Sequence, residues 1–186
     1  MGTITLGSPQ DFYFDVTTGN YDNDLGYTLI KKFGRNSAVS TSPVPVCIGG
    51  VYQVPTSATT LEAISTSAND ASAGSGARTI TVVGLDASWN EAQEDITMNG
   101  TSATSATTTS FLRVYRVLVK DSGTYATATA GSQAGTITVR AASAGATYAQ
   151  IDSSTFPRAQ SQIGAYTVPT GKTAFVKNIT INTSAP

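Results

Sequence analysis

Three carboxylates follow the single tryptophan at close spacing: Glu91, Glu94 and Asp95 after Trp89. Carboxylates beside an aromatic are the material of sugar binding or glycoside cleavage. Cleavage needs two of them at a set separation, one with a raised pKa. The competing reading of Glu91–Met98 is the polar face of a strand, and it is favoured. Asn20-Tyr-Asp-Asn-Asp24 offers loop oxygens of the kind calcium takes, but it lacks the glycine placement and following acidic residue of an EF-hand loop. It reads as an Asx-rich turn. Cys47 lies between Val46 and Ile48 and reads as a small buried hydrophobe rather than a nucleophile. Gly74-Ser-Gly76 is a turn, since no Lys-Ser/Thr follows it as in a phosphate loop. Asn99-Gly-Thr101, Asn178-Ile-Thr180 and Asn182-Thr-Ser184 match the glycosylation pattern, which Thr-rich strands generate by chance.

The chain has no histidine. That removes Ser-His-Asp and Cys-His catalysis and any His-ligated zinc. The expectation is a protein that is not an enzyme, with no catalytic residue, no metal and no cofactor.

With 186 residues and 40% hydrophobic content the chain can bury a sizeable core. A net charge of −1 gives no electrostatic case for nucleic acid; Lys31, Lys32 and Arg35 form the densest basic cluster. No apolar run approaches the ~18 residues of a membrane helix. Met1–Leu6 has neither a basic n-region nor an apolar h-region, so no secretory leader is expected. Leu6 stands where a myristoylation motif requires Ser or Thr. One cysteine forbids an internal disulfide. Small residues with only 12% charge suit surfaces covered by neighbours, because buried charge is costly; a homo-oligomer, with a trimer plausible, is expected.

The elements that would position these groups are strands. Short Thr/Val/Ile runs alternate with Gly/Ser/Asn/Asp turns, and no helix of ordinary length is legible. Expected strands are 12–16, 27–31, 51–54, 60–65, 78–83, 94–98, 111–119, 135–140, 148–151, 164–168 and 174–181. The run 94–98 is expected to form a hairpin with 78–83. In 111–119, Phe111, Arg113, Tyr115, Val117 and Val119 would share one face of a central strand, and Leu112, Val114, Arg116 and Leu118 the other. The fold class is all-β: an antiparallel β-sandwich of jelly-roll type with an extended N-terminal arm. The arm or docking region is 1–50 and the sandwich domain 51–186. Tyr52-Gln-Val-Pro-Thr56 echoes Tyr166-Thr-Val-Pro-Thr170, and Thr79-Ile-Thr-Val82 echoes Thr136-Ile-Thr-Val139, in reversed order and so without tandem repetition.

The N-terminal region carries the aromatics Phe12, Tyr13, Phe14, Tyr21, Tyr27 and Phe33, with Arg35 beside the last. Each fully buried aromatic contributes about 1.5–3 kcal/mol, and Arg and Tyr favour interface centres. These seven residues are the candidate protein interface; membership of the chain's own core is the equal alternative.

Phe33-Gly-Arg-Asn36, Val51-Tyr-Gln-Val-Pro55, Ser65–Asp70, Gly74–Val82, Gly84–Glu91, Ile96–Thr101 and Phe111–Val114 together resemble a family of virion structural proteins. These occur in tailed phages, many of them marine, with related forms in large DNA viruses of algae. Tyr166–Val176 is similar to a strand–turn–strand unit of phage decoration and tail proteins. The resemblance covers most of the chain from about Phe33. It implies a virion location, on the capsid exterior, and a decoration or minor capsid (cement) role with the major capsid protein or other virion proteins as partners. It also implies that further strands often follow the C-terminal unit, so the sheet would be completed by a neighbour or the chain would be a shortened form. The alternative is a tail or fibre module binding a host glycan or protein through exposed Trp89, Tyr125 or Tyr148.

Overall fold

A computed structural model describes residues 28–39, 41–48, 52–123, 132–153 and 159–183. Thr28–Lys32 belong to a separate unit; the fold below is that of the unit from Phe33 onward. Among the described residues there is no helix, and hence none long and apolar enough to cross a membrane.

Among the described residues six strands form two antiparallel three-stranded sheets. They are β1 (Leu61–Ser65), β2 (Ala77–Asp86), β3 (Glu91–Thr97), β4 (Phe111–Ser122), β5 (Ile137–Ala141) and β6 (Thr147–Ile151). One sheet has the order β1-β5-β6, the other β3-β2-β4. Both feed one apolar core. Leu61 and Ala63 of β1, Ile137 and Val139 of β5, and Ile151 of β6 join Ile80 and Val82 of β2, Ile96 of β3, and Phe111, Val114 and Val117 of β4. Ile80 and Val82 face inward together, as their two-residue spacing requires. The β2–β3 hairpin forms as expected, but β3 starts at Glu91 and β2 runs on through Gly84-Leu85-Asp86, which read as turn.

Three expectations are corrected. The first concerns β4, whose alternation breaks. Phe111, Val114 and Val117 all enter the core, which one uninterrupted pleat forbids. The register shifts opposite Val83/Gly84 and Leu85/Asp86, and each bulge moves the following side chains to the other face. Gly84 makes one of these bulges possible, because a Cβ there would fall 1.8 Å from the Arg113 carbonyl oxygen. The second concerns order. β2, not β4, is central, and the outer edge of β4 is met by Ala159–Ser161 through Val119 N–H to Ala159 O (2.8 Å) and Ser161 N–H to Val117 O (2.8 Å). The third concerns 52–54, 164–168 and 174–181, which form no strand. Apolar alternation suits them to a sheet, yet pairing requires a neighbouring edge. The expected strands 12–16 and 27–31 fall, apart from 28–31, outside the described residues.

Two carboxylates fasten the loops. Asp70, fully buried, accepts from Ser65 Oγ (2.5 Å) and from the N–H groups of Ala77 (2.7 Å), Ala134 (2.8 Å) and Gly135 (2.9 Å). It thereby joins the end of β1, the start of β2 and the entry to β5. Glu62 pairs with Arg140 Nε (2.8 Å) and accepts from Ser143 N–H (3.1 Å) and Ala144 N–H (3.0 Å). Ser143 and Ala144 both have positive φ, 63° and 58°. Their consecutive N–H groups make an anion-binding concavity at the tip of the β5–β6 hairpin. Burial pushes the Glu62 carboxyl up, but the Ala144 N–H, the Arg140 guanidinium and the Ser143 N–H together outweigh it and hold it below the usual range.

The low-complexity run Ser102–Ser110 covers a sheet edge. Leu61 N–H donates to Thr107 Oγ1 (2.8 Å) and Ala63 N–H to Thr104 Oγ1 (3.0 Å). The backbone reciprocates from Thr107 N–H to Leu61 O (2.7 Å) and from Thr104 N–H to Ala63 O (3.0 Å). Threonine hydroxyls stand in for a strand, and the outer edge of β1 is closed.

Candidate functional site

The richest surface cluster lies at the tip and outer face of β3-β2-β4. The turn Asp86–Asn90 is locked by its own aspartate: Asp86 Oδ1 accepts from Ser88 N–H (2.8 Å) and Asn90 N–H (2.9 Å). The Asn90 N–H is the main reason the Asp86 carboxyl lies below its ordinary value. This geometry drives Trp89 into the left-handed region, φ 64°. For a bulky L-residue that costs about 1–2 kcal/mol. Two contacts hold Trp89 there. The Arg113 guanidinium stacks 4.7 Å from its ring centroid, and Thr170 N–H donates to its carbonyl (2.9 Å). The indole stays 39% exposed, so strain is stored where an aromatic is presented to solvent.

Leu85, Glu91 and Arg113 share one rung across the three strands, hence one face. Tyr166 spans that face. Its ring meets Tyr115 of β4 edge-on (centroids 5.1 Å apart, 61° between planes), and its hydroxyl donates to Glu91 Oε1 of β3 (3.1 Å). Burial pushes the Tyr115 phenol up to about 12, helped by the Glu91 charge and by Tyr166. Burial, then the Glu91 bond and charge, raise Tyr166 as well. Both phenols therefore stay protonated at neutral pH, Tyr115 as a packing partner and Tyr166 as a donor as well.

The carboxylates singled out by spacing are brought apart. Glu91 and Asp95 lie on one face of β3 and Glu94 on the other, as period-two alternation demands. Glu94 accepts from Thr108 N–H (2.7 Å), Thr109 N–H (2.8 Å) and Thr108 Oγ1 (3.2 Å), clamping the loop that covers β1. Burial acts to raise its pKa, but these donors prevail and lower it. Asp95 pairs with Lys120 and accepts from Thr81 Oγ1 (2.6 Å); the Lys120 and Thr81 bonds keep it below its ordinary value. Glu94 and Asp95 are thus ionised structural acceptors, the opposite of a proton-donating acid.

Among the interface candidates, Phe33 (46% exposed) and Arg35 are on the surface. Gly34 between them brings the backbone against its neighbours: a Cβ there would lie 2.2 Å from Val46 O and 2.5 Å from Gly164 N. Phe12, Tyr13, Phe14, Tyr21 and Tyr27 lie outside the described residues, as do Asn20–Asp24 and Tyr125. Tyr148, expected at an exposed tip, is instead buried in the core; its strand is closed over by the facing sheet. Among the described residues no His/Cys/Asp/Glu group is placed to hold a metal ion.

Cys47 is buried and forms a bridge with Ile163. Beside them a cavity of about 140 Å³ opens along β6, lined by Cys47, Ile48, Tyr52, Tyr148, Ala149 and Ile163 among others. Arg113, Tyr166 and Thr170 were not among the site residues expected from sequence; the signal for the last two was the Tyr-Thr-Val-Pro-Thr echo, which marks a segment laid over the sheet.

Comparison with protein-family models, curated proteins and solved structures returns no match.

Proposed function

We propose that the chain is a non-enzymatic structural protein of a virion, binding the capsid shell as a decoration or minor capsid protein. The observation that carries this reading is the segment 174–181. In it Phe175, Val176, Ile179 and Ile181 are 74–81% exposed. Contiguous exposed apolar surface on a folded unit marks an interaction site. Support comes also from Glu62, Asp70, Glu94 and Asp95, which all serve as ties between elements, and from the virion resemblance from Phe33 onward. A β-sandwich of jelly-roll type belongs to the same proposal: two sheets already share a core, and the apolar segments 164–168 and 174–181 would add strands to it. The mechanism is mechanical. Many copies each bury modest surface across neighbouring shell subunits, and the contacts add through multivalency.

Cryo-electron microscopy of intact particles tests this reading. Density for the chain repeated over the shell is expected; density confined to the tail or to one vertex refutes it. A second reading, a tail or fibre module that binds a glycan, is favoured by Trp89, a strained and partly exposed indole backed by Arg113. It requires Trp89→Ala to abolish host-surface binding at unchanged melting temperature.

A further inference from the structure

We propose that Asn99 is a deamidation site held inert by the fold: it stays an amide while Asp70 grips the Gly100 N–H, and converts to aspartate or isoaspartate when that grip opens. The proposal goes beyond the particle reading and does not rest on it.

The reactive pair is set by sequence. Asn99-Gly100 is the chain's one Asn-Gly step. In such a step no side chain hinders the glycine nitrogen, and glycine reaches the required backbone angles freely. The Gly100 nitrogen attacks Asn99 Cγ and gives up its proton, the Cγ–Nδ2 bond breaks, and ammonia leaves with that proton. Water then adds to either carbonyl of the succinimide ring and opens it to aspartate or isoaspartate. No reagent but water is consumed. Local sequence alone therefore favours conversion.

The fold opposes it at each reacting atom. Gly100 is buried although Asn99 is exposed. The N–H of Gly100, the nucleophile, donates to Asp70 O (2.7 Å), and the carbonyl of the same peptide, Asn99 O, accepts from Ser102 N–H (3.2 Å). That peptide is pinned from both sides. The next is pinned as well, because Gly100 O accepts from Ser65 N–H (3.0 Å). The Asn99 carboxamide is engaged elsewhere, its Nδ2 donating to Ala103 O (3.1 Å). Asn99 also forms an antiparallel bridge with Ala71. Ring closure needs the Gly100 nitrogen released from its acceptor and the Asn99 carboxamide turned toward it, and these bonds resist both movements together. The lock is the residue whose carboxylate joins Ser65, Ala77, Ala134 and Gly135. Chemistry at Asn99 is thus coupled to local opening of the tie between β1, β2 and β5. Isoaspartate adds a carbon to the main chain, which displaces the Gly100 N–H from Asp70 O. A molecule that opens here for long enough is marked and does not regain the same tie.

The test uses the full chain held at pH 8 and 37 °C, with amide-to-acid conversion at Asn99 read by peptide mapping and mass spectrometry. The folded wild type is expected to convert at least ten-fold more slowly than the same chain unfolded in guanidinium chloride. A smaller ratio overturns the proposal. Two variants then separate the Asp70 lock from general stability. Ser65→Ala removes one bond to the Asp70 carboxylate, whereas Glu62→Gln loosens the β5–β6 tip. Each is held the same number of degrees below its own melt, and each rate is divided by that of its unfolded chain. S65A is expected to convert at least three-fold faster than wild type and E62Q at the wild-type rate. An unchanged rate in S65A, or equal acceleration in both variants, overturns the coupling to Asp70. The wild-type comparison needs no variant, so it decides even where S65A fails to fold. None of these outcomes depends on where the protein sits in a particle, so failure here and failure of the capsid reading are separable.

Discussion

Replacing Asp70 by asparagine keeps its shape and reverses the polarity of one atom. Oδ1 still accepts from Ala77 and Ala134. The amide nitrogen now faces the Gly135 N–H and Ser65 Oγ. Ser65 can rotate to accept, but Gly135 cannot, so one buried N–H loses its partner. That loss costs about 1–3 kcal/mol, and the bonds that remain lose the charge that strengthened them. A total of about 3 kcal/mol follows, which for a chain of this size lowers Tm by about 6–12 °C. Asp70→Ala strands three buried N–H donors and costs about 5 kcal/mol. The assay is thermal unfolding by circular dichroism, with amide exchange at Ala77, Ala134 and Gly135 as the local readout. A D70N protein melting within about 2 °C of wild type would refute the view that this carboxylate ties three strands into one cooperative unit.

Glu62 sets a pH dependence. Its folded pKa lies below the ordinary 4.5, so its stabilisation is present above that value and lost as pH falls through the folded pKa. The Tm gap between wild type and E62Q should be widest above pH 4.5 and close below it, as measured by melts from pH 3 to 7. Gly84→Ala should prevent stable folding, or lower stability by about 3 kcal/mol, because the new Cβ meets the Arg113 carbonyl at 1.8 Å; denaturant titration reads this. Ala144→Gly should raise stability by about 0.5–1 kcal/mol, since φ 58° is free of strain only for glycine; the same titration with an unchanged m-value checks it.

The strands of the core were legible where local pattern and tertiary outcome agree. Ile80 and Val82, Ile137 and Val139, and the β2–β3 hairpin follow from period-two alternation bounded by turns, which is a property of the strand itself. β4 was legible as a strand but not in its facing, because a bulge depends on the partner strand: Gly84 admits the Arg113 carbonyl, and the inward side chains shift from Phe111 to Val114 to Val117. The run Ser102–Ser110 looked featureless because threonine hydroxyls cap an edge without any apolar period. Of the site, Trp89 and its neighbouring carboxylates stood out by type, whereas Arg113 and Tyr166 reach it from positions 24 and 77 residues away, distances that spacing rules do not span.

By itself the sequence determined the all-β class, the burial of Cys47 and the want of a histidine-based site, because composition and alternation act through local physics alone. The tertiary structure decided which carboxylates became ties rather than reagents and which edge the threonine loop closed. Those outcomes depend on hydrogen bonds between residues far apart in the chain, and a donor or acceptor has no assigned role until the fold brings its counterpart within about 3 Å.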